Sequence, residues 1–484
     1  MSSTYKHGIY VSEQETSMAA PATGTAGLQV IFGTAPVNML DDPEAACNVP
    51  LLANNYKEAV AAVGYADDFE SYTLCEAISA NFSVIGSGPI VLINVLSPSK
   101  HSAAMTGGDI AVENGVAVIE ESGVLLSALV VKNGDTELTA DVDYTTSWND
   151  DGTLNIILIE GGAGDGAETL TVSGSRLDPS LVTAADIVGG VDSDTLEETG
   201  LEVIRQVFPL LSMVPGIILA PRFSADATVA AAMQAKTTEI NGVFRCACII
   251  DIDSSEAGAT KYTDVKTAKE NQAVSSENAY AVWPYAKVGD VIYSGSSLAA
   301  ALTAYTDTEN DDTPNVSPSN KTLSISAVCL PDGKEIILDQ DQANTINSYG
   351  VATFLNMNGF RLWGNNTAAY PGTTDPKDRW FSVRRFMSWA ANTFILTYFQ
   401  KVDSPANKRL IEAIVDSENV RGNGFVARDV CARYEIKFNE DENDTTSLLN
   451  GKLTFHQYIT PYTPAEDIED VIEFDPEALS TALS

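Results

Sequence analysis

Positive charge is scarce in this chain of 484 residues: 28 lysines and arginines stand against 66 aspartates and glutamates, for a formal net charge of -38. A surface of that average sign repels phosphate, which argues against direct binding to nucleic acid and to anionic membranes. Histidine is rarer still. His7, His101 and His456 fall in a polar terminal segment, at a change of composition and in a β-favouring run, and give no local triad or zinc ligand set. Six cysteines, at 47, 75, 246, 248, 329 and 431, are too few and too scattered for a disulfide framework. Within "VFRCACIID", Cys246 and Cys248 stand two apart and therefore share a strand face, so a buried thiol pair is expected. Long apolar runs are missing too: none approaches the ~18 residues of a membrane-spanning helix. The opening "MSSTYKHGIYVSEQETS" lacks the apolar core of a signal peptide, and folding in a cytoplasm is expected.

Hydrophobic residues are plentiful, at 44%. With a length beyond what one core fills, they predict a folded chain of about two to four domains. Residues 1–20 are polar without helical period and read as an extended N-terminal arm. Residues 21–100 read as α/β: "GLQVIFGTAP" is a strand stopped by glycine and proline, "YTLCEAISANF" carries Leu74, Ile78 and Phe82 four apart on one helical stripe, and "PIVLINVL" has the unbroken apolar character of a strand covered on both faces.

Character changes over 101–190. Short β-favouring runs are punctuated by "NG", "NGD", "NDDG" and "GGAGDG", which are hairpin signals, and from 101 to 195 there are 17 carboxylates and two cations. This predicts an inserted, acidic antiparallel β domain. The α/β pattern resumes over 191–350, with Asp194 as a candidate N-cap, a helical stripe of Leu201, Ile204 and Phe208, and "GIILAP" and "VFRCACIIDID" as strands. Alternation of helix and strand predicts a mainly parallel, helix-covered core sheet. A C-terminal domain is expected over 351–465, with Ser404 and Pro405 opening a helix that buries Leu410, Ile411, Ile414 and Val415 and ends near Gly422 or Gly424. A hairpin with a long acidic connection follows, then an acidic strand and arm at 466–484. The fold class is α/β (α+β) and multi-domain, with extended terminal arms.

Catalytic patterns are absent. No phosphate loop of the form G-x-x-x-x-G-K-[ST] occurs, no G-x-S-x-G elbow, and "DIDSSE" and "NEDEND" lack the glycine and terminal glutamate of a calcium loop. "GGAGDG" stands among hairpins and carboxylates, where a pyrophosphate would be repelled, and reads as a turn. No cofactor and no metal is expected. An α/β enzyme with an appended β module is the alternative reading, and no catalytic motif supports it.

The scarce positive charge is unevenly placed. Arg361 to Lys437 holds 12 cations and eight carboxylates, leaving 16 cations and 58 carboxylates elsewhere. One basic region on an acidic molecule can dock on copies of itself head to tail, and such heterologous contacts close into rings or run on as helical filaments. The plainer alternative is that these cations cap helices and pair internally.

Several stretches resemble, in order along most of the chain, the contractile tail sheath proteins of myophages and of related injection machines such as R-type pyocins: "HGIYVSE", "GTAGLQVIFGTAP", "YAVWPYAK", "LNMNGFRLWGNNT", "RWFSVRRFMSWAANTF" and "NGKLTFHQYITPYTPAEDIEDVIEF". The resemblance implies a structural, non-enzymatic subunit that forms stacked hexameric rings around a tail tube. It implies arms that link neighbours by adding strands to a sheet in the C-terminal region, here through Tyr5, Ile9 and Val11 and through Val471, Ile472 and Phe474. It implies contraction that drives the tube through a cell envelope, with tube, baseplate and tail terminator proteins as partners. Assembly in a bacterial host cytoplasm, residence in a virion tail and an outward-facing insert are implied as well. On this reading Arg361, Arg379, Arg384, Arg385, Lys408 and Arg409 are expected to contact acidic surfaces of neighbouring subunits or of the tube, and Trp363, Trp380 and Trp389 to be core.

Overall fold

A computed structural model describes residues 25–149 and 151–483; Tyr5, Ile9, Val11 and the expected arm 1–20 lie outside them. The described chain forms two compact units, one built from Thr25–Trp389 with Tyr462–Ser484 and the other from Ala390–Pro461.

An eight-stranded sheet organises the larger unit. Its strands are β1 (Gln29–Gly33), β2 (Leu51–Ala53), β3 (Ile90–Asn94), β4 (Ile217–Leu219), β5 (Ala247–Asp251), β6 (Ala279–Val282), β7 (Val351–Asn356) and β8 (Phe360–Trp363), in the order β2-β3-β1-β4-β5-β6-β7-β8. Pairing from β3 through β7 is parallel, while β2 and β8 close the two edges antiparallel. Every residue of β1, β3 and β5 is buried, as a sheet covered on both faces requires. The sequence boundary expected at 351 falls at the start of β7, so the segment assigned to a C-terminal domain supplies two strands of the core sheet instead.

Helices Tyr56–Val63, Thr73–Ile78, Ala227–Ala235, Val265–Asn271 and Gly295–Thr308 make the crossovers. Of these, Gly295–Thr308 is buried almost all round, which its sequence "GSSLAAALTAYTDT" permits because small side chains let the backbone approach its neighbours. A Cβ at Gly295 would stand 2.6 Å from the Pro284 carbonyl oxygen. Asp194 caps no helix. It sits in the reversal between Gly190–Val191 and Glu198–Thr199, its N–H held by the Asp192 carboxylate, and the following helix begins at Ile204 after a tight turn.

The insert is a seven-stranded sheet in which every pairing is antiparallel, running in space Thr136–Glu137, Val130–Asn133, Thr169–Ser173, Gly108–Glu113, Val116–Ile119, Leu154–Leu158, Tyr144–Trp148. Asn114 and Gly115 turn the hairpin between Gly108–Glu113 and Val116–Ile119 with φ of 53° and 80°, the left-handed pair that a type I′ turn needs. Strand Thr169–Ser173 alternates exposed and buried residues, and Leu170 and Val172 join Val131, Leu154 and Ile156 in a core belonging to the insert. Entry and exit run side by side through a neck in which Ser102–Ala104 pairs antiparallel with Ser175–Leu177.

In the smaller unit, helix Lys408–Ala427 packs on a hairpin of Cys431–Lys437 and His456–Pro461. The cap is Asn407, whose side chain accepts the Leu410 N–H at 2.9 Å, rather than Ser404. Gly422 and Gly424 lie inside the helix. At Gly422 the reason is steric, since a Cβ there would stand 2.2 Å from the Tyr434 carbonyl oxygen of the hairpin. After Pro461 the chain has no regular structure until the short helix Pro476–Ala482, so the acidic strand expected near 466–475 is not formed within the chain.

Candidate assembly surfaces

Parallel sheets of this kind hold ligands beyond the carboxyl ends of their strands, where the first helical turn offers N–H groups. Asp251 ends β5 at such a place. Its carboxylate accepts the Ser296 N–H at 2.7 Å together with the hydroxyls of Ser296 and Ser224. Glu76 beside it accepts from the Ser294 N–H, from the Ser297 hydroxyl and from the Arg222 guanidinium. Serines, carboxylates and an arginine in one place would suit catalysis, and the grouping is not legible in the sequence because its members come from four separate segments. Yet Glu76, Ser224, Ser294, Ser296 and Ser297 have no exposed surface and Asp251 has 2%. The helix Gly295–Thr308 fills the crevice that a substrate would need. Burial pushes the Asp251 carboxyl up to about 6, opposed by its bonds to Ser296. The thiols are equally shut in: burial raises Cys246 and Cys248 well above the ordinary range, which leaves no nucleophilic thiolate there. Among the described residues no cluster of histidine, cysteine and carboxylate could hold a metal ion.

The arginines expected at an interface divide. Arg385 is 4% exposed; it forks onto Asp307 and also donates to the Ala26 carbonyl at 3.0 Å. Arg384 donates to the side-chain amide oxygen of Asn278 at 2.8 Å and to the Asp378 carboxylate at 3.1 Å. Arg379 lies between the rings of Trp380 and Tyr370, bonds Asn366 and pairs with Glu466. These three are internal ties. The bonds seen at these three guanidinium groups run to residues of the same chain, which is the internal pairing given as the plainer alternative, and Arg385 is buried as well. Arg361 bonds Asn320 near the surface. Lys408 and Arg409 stand exposed at the start of their helix, Lys408 with Glu412 at 3.6 Å one turn on. Trp380 and Trp389 are buried, and Trp363 is half-buried with its indole N–H on Asn344.

The smaller unit offers a different surface. Its sheet has two strands only, so each presents one edge without a backbone partner among the described residues. The hairpin is held from behind by Ile414, Glu418, Gly422 and Phe425, the buried stripe of helix Lys408–Ala427. Glu418, with no exposed surface, accepts from the hydroxyls of Tyr398 at 3.0 Å and Tyr434 at 2.9 Å, from the Gln457 amide at 2.9 Å, and from Arg421. Sequence reading passed over this residue, although an acid four residues after Ile414 and four before Gly422 on one stripe marks a buried polar contact. In front, Arg433 and Lys437 flank Glu435 and lie over the Tyr458 ring.

Ile468, Val471, Ile472 and Phe474 are 70% to 89% exposed. In an extended strand Ile468, Ile472 and Phe474 fall on one face, because residues an even number apart point the same way.

No family model matches the chain. Its fold is that of contractile sheath subunits: it superposes on a subunit of the sheath complex of an extracellular contractile injection system, PVC, in the contracted state, with a TM-score of 0.56 at 13% identity over 99% of this chain and 100% of the other. The baseplate structure of the anti-feeding prophage contains a chain that matches at a TM-score of 0.57 and 14% identity over 98% of this chain. In sequence, the chain is 25% identical to the tail sheath protein of Burkholderia phage BcepMu over 99% of both chains, and 26% identical to that of Escherichia phage P2 over 65% of this chain and 74% of the relative. Along almost its whole length the chain is thus similar in sequence to phage tail sheath proteins and in fold to contractile sheath subunits.

Proposed function

We propose that this subunit polymerises through its terminal arms into stacked hexameric rings around a tail tube, and that contraction of this lattice drives the tube through a target envelope. One observation carries the reading: the apolar residues Ile468, Val471, Ile472 and Phe474 stand exposed in a chain whose hairpin Cys431–Lys437/His456–Pro461 has two strands only, each with one edge unpaired among the described residues. A segment added to such an edge gains backbone hydrogen bonds worth about 0.5 to 1.5 kcal/mol each, and four or five of them hold one junction by a few kcal/mol. The arm's carboxylates Glu469 and Glu473 match the cations Arg433 and Lys437 in sign. The N-terminal arm, with Tyr5, Ile9 and Val11, is the second linker in this reading. Arg361, Lys408 and Arg409 remain as contacts to acidic surfaces of neighbours or of the tube, each exposed pair contributing about 0.2 to 1 kcal/mol.

The full-length similarity to phage tail sheath proteins supports a place in the tail of a virion or of a phage-like particle, with assembly in the host cytoplasm. The matching structures, a sheath complex and a baseplate, support association with itself and with a baseplate; a tail terminator protein at the far end is a further partner in this reading. Negative-stain electron microscopy of the purified chain, alone and with tail tubes as template, tests the reading. Tubes or stacked rings from the intact chain, and folded single subunits after removal of residues 468–484, are the expected result. Ordered tubes from the truncated chain would refute arm linkage.

A further inference from the structure

Two arginines six residues apart hold the roots of both terminal segments. Arg385 donates to the carbonyl of Ala26, at the beginning of the described chain, while its other bonds fix it to buried Asp307. The same root is tied by the Thr25 hydroxyl to the Val214 carbonyl at 2.5 Å, and Gly216 lets it pass, since a Cβ there would lie 2.2 Å from the Ala26 oxygen. Arg379 holds the other end. Its guanidinium is 3.9 Å from the Trp380 ring centre and 4.6 Å from that of Tyr370, its Nε bonds Asn366, and its remaining fork takes Glu466. Pro464 to Ile468 lie along a groove lined by Trp363, Asn366, Tyr370 and Arg379.

We infer that Arg379 to Arg385 is a common anchor for the two arms, pinning each at its root so that a pull on either arm is delivered to one seven-residue stretch. Only residues beyond Ile468 are then free to reach a neighbour, and those 16 residues span at most about 55 Å when drawn out. The stretch leads into helix Phe381–Tyr398, so strain in an arm enters the subunit at the start of that helix. The scarce positive charge of this region therefore serves internal attachment. This inference rests on reading the termini as linking arms, but its test does not involve polymerisation.

The test is amide hydrogen exchange on the unassembled full-length subunit. In Glu466→Gln the pair with Arg379 is lost, and exchange at residues 464–468 should speed about fivefold, the ratio that an ion pair of about 1 kcal/mol gives at 25 °C, with β5 and residues 25–28 unchanged. In Asp307→Asn, exchange should speed at residues 25–28 and leave 464–468 as in the parent. The exchanged pair Arg379→Glu with Glu466→Arg should return the tail to parental protection, which a merely structural role for Glu466 would not do. Unchanged exchange at 464–468 in Glu466→Gln, or an equal rise throughout the core, would overturn the anchor. Neither result bears on whether the chain forms tubes.

Discussion

Arg385 and Asp307 meet fork to fork inside the larger unit, at 4% and 2% exposure, although 78 residues separate them in sequence. Burial pushes the Asp307 carboxyl upward and the facing guanidinium pulls it back. Removing one partner of such a pair strands the other without solvent, at a cost of about 3 to 5 kcal/mol. Arg385→Met should therefore lower the urea unfolding free energy by about that much, whereas Arg361→Ala, at a surface site, should stay within about 0.5 kcal/mol. Equal effects from the two would show that the buried pair is not the tie described.

Exposed cations should behave in the opposite way. Lys408→Glu with Arg409→Glu touches no buried group, so circular dichroism melting should change little. Polymerisation should weaken, and the deficit should be largest at low salt, because exposed charge pairs are screened as ionic strength rises. Sedimentation of assembled material across a salt series measures it; parental sedimentation at every salt would remove these two residues from the interface.

Asp251 gives a pH signature. Its carboxyl is raised in the folded state to about 6 from an ordinary 3.8. A raised value means that the folded state binds the proton more tightly, so the stabilisation is complete below pH 3.8 and is lost as pH rises through about 6. The difference corresponds to about 3 kcal/mol. Asp251→Asn keeps one acceptor for Ser296 and removes the titration. The unfolding free energy of the variant should fall less between pH 4 and 7 than that of the parent, and identical slopes would refute the assignment.

The insert should be dispensable for folding. Ala104 and Ser175 are directly paired across the neck, so a two-residue turn can join them when 105–174 are removed. The trimmed chain should melt in one transition within a few degrees of the parent and still form tubes. Failure to fold would mean that the core depends on contacts such as the one from the Asn38 amide to the Val124 carbonyl.

Much of this fold was legible in the sequence wherever the signal is local. "PIVLINVL" announced a strand buried on both faces, and Asn114-Gly115 announced its hairpin. Capping was less legible, since Ser404, Asn407 and Asp194 all carry suitable side chains and only packing decides which one ends up at a helix start. The basic stretch was visible as charge but not as attachment, because Asp307 and Glu466 lie 78 and 87 residues from their arginines. The Asp251 grouping depends likewise on contacts between distant segments, for which a single sequence carries no periodic mark, whereas Glu418 is marked by its place on the stripe of Ile414 and Gly422.

An enzyme of this topology keeps its crevice open and so accepts a soft spot in the middle of its sheet. Here the N-terminal turn of Gly295–Thr308 occupies that space with serines bonded to Glu76 and Asp251. Close-packed protein interiors are nearly incompressible. The larger unit, filled in this way, responds to a push as a solid block, so in the proposed lattice a displacement would be taken up by the segments that join neighbours, with little of the work lost in squeezing the block itself.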